Sequence, residues 1–423
     1  MLFVALILGL GWAIRGHFGH EWGASWAGGM AALAVLVVAK RPDWSKRMPV
    51  LTALGALGWA VGGMMSYGIV IGYCRGNDFG NVLYGYAMLV VIGGLYGFIG
   101  GGLFGLGLES TADKKPKWAS LITEMVAGAW IIWGLIIYQL EWLMTPPRSE
   151  LWAACLGAAT ALAWYLYREG YRRSLRVAVY AMLGAGFGFS FGNFIQTMGA
   201  VSGIGYNWWN VMEFTLGFCG GLGMTYAVVT RDWPAAAEPS KIANWLGFGF
   251  VILAIPLTNL INAFHKERML NLGKSLGISD IESFAVNQPL TGMVLLFIFL
   301  LTAVFFWHRA EREKIDVTHV LAPLALFAYT TYYTVYGFLV KGFFYRHLSI
   351  GESDVLYVPV MLFALGLWFF TRRKKKILPL SASGNESLRK WIWLTVCVFL
   401  ILIIITFISV SSHPGLPGFH ERF

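Results

Sequence analysis

The sequence predicts an all-α polytopic membrane protein of about 13 transmembrane helices, arranged as repeated helical hairpins with glycine-ladder packing. Three observations lead there. Hydrophobic residues make up 57% of the 423-residue chain and charged residues 13%, whereas roughly a quarter of a soluble domain is charged. Apolar runs of bilayer-crossing length recur from end to end, a helix rising about 1.5 Å per residue against about 30 Å of hydrocarbon. Lysine and arginine alternate between successive connections as the positive-inside rule requires.

The spans fall at roughly 1 to 14, 23 to 39, 49 to 72, 82 to 108, 118 to 140, 151 to 167, 177 to 198, 210 to 230, 242 to 264, 292 to 308, 319 to 341, 355 to 371 and 391 to 411. With the "KRPDWSKR" turn in the cytoplasm, the connections on that side hold 23 of the 32 lysines and arginines. The expected product is a multi-pass protein of the cytoplasmic (inner) membrane, N-terminus inside and C-terminus outside. The net charge of +10 is then an orientation signal, and no nucleic-acid partner is expected. The densest basic cluster, "RRKKK" at 372 to 376, fits an anchor beside anionic lipid. The 1 to 14 segment is short enough to be re-entrant as well as spanning. It lacks a basic flank and a small-residue cleavage site, so a retained helix is expected over a removable leader.

Residues 1–390 read as one bundle of hairpins (1–39, 49–108, 118–167, 177–230, 242–308, 319–371), and 391–423 as an extra lipid-facing helix with a short outer tail. Only 264 to 291 leaves an extended stretch outside the apolar runs, too little for a soluble domain. Glycines recur every fourth residue at Gly93, Gly97, Gly101 and Gly105, at Gly184, Gly188 and Gly192, at Gly217 and Gly221, and at Gly58 and Gly62. Such spacing stacks them on one helical face and admits a neighbouring backbone, so these four helices are expected to form the centre.

The chemistry-bearing stretch is "RGHFGHEWG" at 15 to 23, related to "RGNDFGNVLYG" at 75 to 85 and more weakly to "FGNFIQTMG" at 191 to 199, which "YNWWNVME" follows at 206 to 213. The pattern suggests parallel hairpins, each with a polar outer corner, and no inverted repeat is visible. Two crossings need about 40 residues, so residues 1 to 39 leave nothing for a loop. Arg15, His17, His20 and Glu21 must lie at or below the interface, where an arginine is tolerated only if paired or facing water. Glu21, Asp78 and Glu213 are the candidate counter-charges.

One reading makes Arg15 and Arg75 a two-pronged site for an anion, a guanidinium being a planar fork matched to carboxylate or phosphate. His17 and His20 then bind or relay a proton, and Asn77, Asp78, Asn193, Gln196 and Glu213 complete the lining. The alternative pairs Arg15 with Glu21 and Arg75 with Asp78 as structural ion pairs. The spacing in "HFGHE" is a weak metal signal and not the zinc-protease pattern; His265 and His347 lie on the same side. Trp22, Trp26, Trp208 and Trp209 suit stacking on a sugar face or anchoring in the interface. Glu124, inside a span near the cytoplasm, either couples protons to transport or pairs with Lys117.

No cofactor is expected, because the chain has no phosphate-binding glycine loop and no nucleophile elbow. Cys74, Cys155, Cys219 and Cys397 have no paired spacing and read as packing residues. These features favour a permease for a small polar, anionic, sugar-like organic solute, surrounded by membrane lipid. A membrane-embedded enzyme acting on a lipid-linked or outer-surface substrate, and a structural subunit of a membrane complex, are the alternatives. Homo-oligomerisation stays open.

Overall fold

The computed structural model describes residues 1–313, 315–345, 353–372 and 388–422. Among them there is no strand, and nine helices are long and apolar enough to cross a membrane. In chain order the principal helices are α1 (Leu2–Arg15), α2 (Glu21–Ala39), α3 (Met48–Gly63), the short α4 (Gly68–Tyr73) and α5 (Phe79–Glu109). Next come α6 (Trp118–Gln139, π-wound from Gly134), α7 (Leu151–Arg168), α8 (Arg172–Val201), α9 (Trp208–Val229) and α10 (Lys241–Ala263). The series closes with α11 (Lys266–Ser275), α12 (Ile281–Glu313), α13 (Ala322–Val340), α14 (Tyr357–Thr371) and α15 (Leu388–Ser412). Local chemistry sets several starts: the Asp78 carboxylate accepts from the Asn81 amide (2.7 Å) at the head of α5, and Asn207 accepts from the Asn210 amide at the head of α9.

The glycine ladders are the seams of the bundle. A Cβ on Gly93 or Gly97 would run into the carbonyls of Ala185 and Ala181 on α8. Gly184, Gly188 and Gly192 meet Cys219, Thr215 and Met212 of α9 in the same way. Gly58 and Gly62 abut Gly100 and Tyr96 of α5, while Gly217 and Gly221 of α9 abut Leu8 and Ala5 of α1. That last seam enlarges the expected centre, for α1 is buried from Phe3 to Arg15 and α2 from Gly23 to Val38. Sequence reasoning kept both helices out because they lack a four-residue glycine ladder. Their partners supply the small residues: Gly28 of α2 meets Gly55 of α3. By contrast α6 and α12 turn most of their surface outward.

Two expected spans have different shapes. The third is interrupted after Gly63, and the chain passes through 64 to 67 before α4. A Cβ on Gly63 would lie 2.9 Å from the His20 carbonyl oxygen, so α3 stops against the corner between α1 and α2. The tenth is longer than expected, since α12 begins at Ile281 and carries Pro289 inside it. The last helix also has a protein-facing side: Phe407 packs on Phe79 (4.6 Å between rings) and Ser409 accepts from the Tyr86 hydroxyl (3.3 Å), against α5. It is therefore more than a lipid-facing appendage.

Basic connections gather at one end, where arginines donate to backbone carbonyls at helix C-termini or in the connections beyond them. Arg47 donates to the carbonyls of Gly107 and Ser110, Arg41 to those of Trp233 and Pro234, and Arg176 to that of Ala227. Of the "RRKKK" cluster only Arg372 lies within the described residues, and its carbonyl accepts from Lys40. The connections expected on the other side meet at the opposite end, around the corner between α1 and α2.

Overpacking a seam costs about 1–3 kcal/mol or more. Gly97→Val, which would drive a branched side chain into the α8 backbone, is expected to lower the thermal midpoint of purified protein sharply or prevent folding. Gly366→Ala, on α14 with open space around it, should leave the midpoint unchanged, and equal effects of the two would contradict the seam.

Candidate functional site

Helix α1 ends at Arg15, and the chain reverses through 16 to 20 before α2 begins. Gly19 makes the reversal with φ +93°, which disfavours any side chain there. Phe18 pins the corner inward, stacking on Tyr333 (5.1 Å) and Tyr336 (5.8 Å) of α13. Arg15 is consequently carried below the surface, with 1% of it exposed.

Its guanidinium is satisfied by three elements. Nε donates to Glu213 Oε2 on α9 (3.3 Å), Nη2 to the hydroxyl of Tyr67 in the break after α3 (2.7 Å), and Nη1 to the His20 carbonyl (3.3 Å). Tyr67 closes the triangle by donating to Glu213 Oε1. The Arg15 guanidinium also lies over the Trp12 ring (4.9 Å). Glu213, Gly217 and Gly221 follow one another at four-residue steps, so the seam that brings α9 onto α1 ends in this ion pair.

Beside the pair lies a partly open cavity of about 520 Å3, within the size range of small-molecule sites. Trp209 and Tyr67 stack 6.1 Å apart in its wall, and His20 meets Tyr67 edge-on at 5.9 Å. Arg148, from the connection between α6 and α7, lines the cavity with an exposed side chain that makes no ion pair among the described residues. His420 reaches the cavity from the segment after α15. Partial desolvation by the cavity walls, and then the neighbouring Arg15, hold the His20 imidazole below its ordinary value. With Arg15 balanced by Glu213, Arg148 leaves the cavity net positive.

Of the residues expected to form a site, Arg15, His20 and Glu213 meet here. Glu21 does not pair with Arg15; it is exposed on the first turn of α2. Arg75 and Asp78 do not pair either. Asp78 caps α5, and Arg75 donates to the Pro417 carbonyl (3.0 Å), holding the segment after α15. Asn81 continues that attachment, donating to the His420 carbonyl and accepting from the Arg422 amide, while Asn77 is exposed beside it. The second corner therefore binds a piece of the chain itself.

His17 points away from His20. It lies 3.2 Å from the Tyr357 hydroxyl and 3.7 Å from Asp354, in a separate buried cluster that Asn210 joins through Tyr357. The two histidines cannot share a metal in this arrangement, and His347 is outside the described residues. Asn193 donates to Gln196 (2.8 Å) in the interior between α8 and α9, away from the cavity lining. Trp26 is buried against Tyr329, Tyr332 and Tyr333, and Trp208 covers Gly199, which leaves Trp209 as the tryptophan in the cavity wall. Glu124 is held by Arg168 (2.7 and 3.1 Å) instead of Lys117, whose partner is Glu169. That ion pair ties α6 to α7 and takes no part in the cavity.

Tyr67, Arg148 and His420 are the lining residues that sequence reasoning missed. "SYG" at 66 to 68 lies within the apolar run of 49 to 72 and carries no charge, and Arg148 and His420 sit in connections with no counterpart in the repeated corner. The chain matches no protein-family model, no curated protein and no solved structure.

Removing one member of a buried ion pair strands the other and costs about 3–5 kcal/mol, whereas an apolar pair of similar volume is often neutral. Glu213→Ala is expected to show that loss in thermal unfolding of the purified protein. Arg15→Leu combined with Glu213→Leu should recover most of it. Glu21→Ala should shift stability by less than about 0.5 kcal/mol; a loss matching that of Glu213→Ala would mean the wrong acid had been identified as the partner.

Proposed function

We propose that the chain is a carrier of 13 membrane-spanning helices for a small organic anion, with its site facing the outer side of the cytoplasmic membrane. The observation that supports this most is the open, net-positive cavity within the helical bundle, with a buried arginine at its base. Nine of the described helices are long and apolar enough to cross a membrane, and α1 and α3 are shorter apolar helices that fit the same bundle. In this reading a short α1, about 21 Å being the reach of fourteen residues, holds Arg15 below the outer surface.

Arg15 is the anion fork in this reading, and Arg148 is the second cation, in the role first expected of Arg75. A carboxylate or a phosphate could take two parallel hydrogen bonds from the guanidinium. The faces of Tyr67 and Trp209 suit the planar or apolar side of the solute, such as a sugar ring or an arene. The floor is closed: Trp12, completely buried, sits edge-on to Trp59 (5.0 Å) and Tyr96 (5.2 Å) directly beneath Arg15. A cavity open above and plugged by aromatic rings below is what one state of an alternating-access carrier presents, and separation of those rings would admit the solute inward.

Proteoliposomes are the test, with labelled glucuronate, gluconate and benzoate as probes. Accumulation of at least one anion is expected with the wild type and none with Arg15→Ala. Arg148→Gln should raise KM roughly tenfold, the loss of a hydrogen bond to a charged group being worth about 1.5 kcal/mol. Glu124→Gln, whose ion pair with Arg168 takes no part in the cavity, should transport as the wild type does. Binding of these anions without passage into the lumen would favour an enzyme of the outer surface, and neither binding nor passage would remove the carrier altogether.

A further inference from the structure

Arg15 has one carboxylate partner, and that partner already occupies it. Both oxygens of Glu213 are engaged, Oε2 by Arg15 and Oε1 by Tyr67, and the two charged side chains are 2–3% exposed. Glu213, Tyr67 and the His20 carbonyl use three of the five guanidinium N–H donors, so an anion that reaches the others shares the single positive charge with Glu213. Two carboxylates sharing one buried guanidinium leave an excess negative charge in a poorly solvated place, and like charges so close cannot both stay ionised. The excess is removed if one carboxylate takes a proton. Glu213 is the one that can do so without leaving, because Tyr67 stays within hydrogen-bonding distance and a protonated carboxyl keeps both a donor and acceptors.

We infer that Glu213 is the proton-coupling residue of the site: it yields Arg15 to the incoming anion and takes up a proton from the outer water as it does so. The inference rests on the anion-carrier reading and adds its driving ion. One O–H bond forms on Glu213, the proton arriving through the open cavity, and the Arg15 N–H groups turn from Glu213 to the solute. The empty site holds one cation and one anion. The loaded site holds the guanidinium, the solute anion and a neutral carboxyl, so its charge is unchanged, and a monoanion and a proton cross together without moving net charge. Arg15 alone, with no competing acid, would be left carrying an uncompensated charge whenever the solute departed.

Other titratable or charged groups surround Glu213: Arg15 from α1, Tyr67 from the break after α3, Tyr96 from α5, Tyr333 from α13, His20 from the corner, Arg148 and His420 from the rim. The experiment must separate the two histidines of the cavity from Glu213.

Isothermal titration of the purified, detergent-solubilised protein with benzoate, in two buffers of different ionisation enthalpy, counts the protons taken up per anion bound. Benzoate itself stays ionised between pH 6 and 8, roughly two units or more above the carboxylic range. About one proton per benzoate is expected for the wild type, with affinity falling about tenfold per pH unit as pH rises. Glu213→Gln should bind with uptake near zero and a flat pH dependence, while His20→Gln combined with His420→Gln should keep the wild-type count. Binding by the wild type without proton uptake overturns the coupling role and leaves the anion site standing, and that count decides even if Glu213→Gln does not fold. Uptake that survives in Glu213→Gln and disappears in the histidine double variant assigns the proton to the rim and overturns the role of Glu213. Absence of benzoate binding at every pH overturns the anion site and the coupling together.

Discussion

A guanidinium buried among helices must be neutralised by the protein, and the triangle of Arg15, Tyr67 and Glu213 is how this chain does it. The rest of the architecture is arranged to make the triangle possible. Helix α9 must lie close enough to α1 for Glu213 to reach Nε, and Gly217 and Gly221 allow that approach. Helix α3 must stop where Tyr67 can face the pair, and Gly63 lets it stop directly against the His20 carbonyl. A bulkier residue at any of these glycines would act on the charge through the backbone, without touching it.

Aromatic packing complements the electrostatics. Phe18 is fixed among Tyr333, Tyr336 and Trp26, so the corner that carries Arg15 and His20 has little freedom to swing into solvent. Beneath the guanidinium, Trp12, Trp59 and Tyr96 exclude water from below while presenting a ring face to the positive charge. The cavity is thereby polar on its base and rim and dry underneath. That division lets one ionic contact be strong at the base while the mouth stays hydrated.

Much of this was legible in the sequence, and the losses have physical causes. Helix positions followed from hydropathy because lipid leaves few alternatives to a helix, and the ladders at Gly93 to Gly105 and Gly184 to Gly192 announced their own seams. Arg15 and Glu213 were visible as charges out of place. Their mutual pairing was not, because Glu21 and Asp78 were nearer in sequence or in pattern and nothing in a linear chain ranks three acids by distance. The resemblance between 15 to 23 and 75 to 85 suggested equivalent corners, yet the second is filled by the segment after α15 through Arg75 and Asn81. His17 and His20, three residues apart, would share a face on a continuous helix, but the helix ends at Arg15 and the turn at Gly19 separates them.

The separation of 198 residues between Arg15 and Glu213 bears on biogenesis. As the nascent chain enters the bilayer, α1 arrives bearing a naked cation, and its neutralising acid is delivered only after several further segments have been threaded. An unpaired arginine at the centre of a bilayer costs roughly 2.5–3.5 kcal/mol on insertion. With only fourteen residues in α1, Arg15 closes that helix instead of sitting inside it, so the unfinished protein carries its unpaired cation at a helix end until α9 docks.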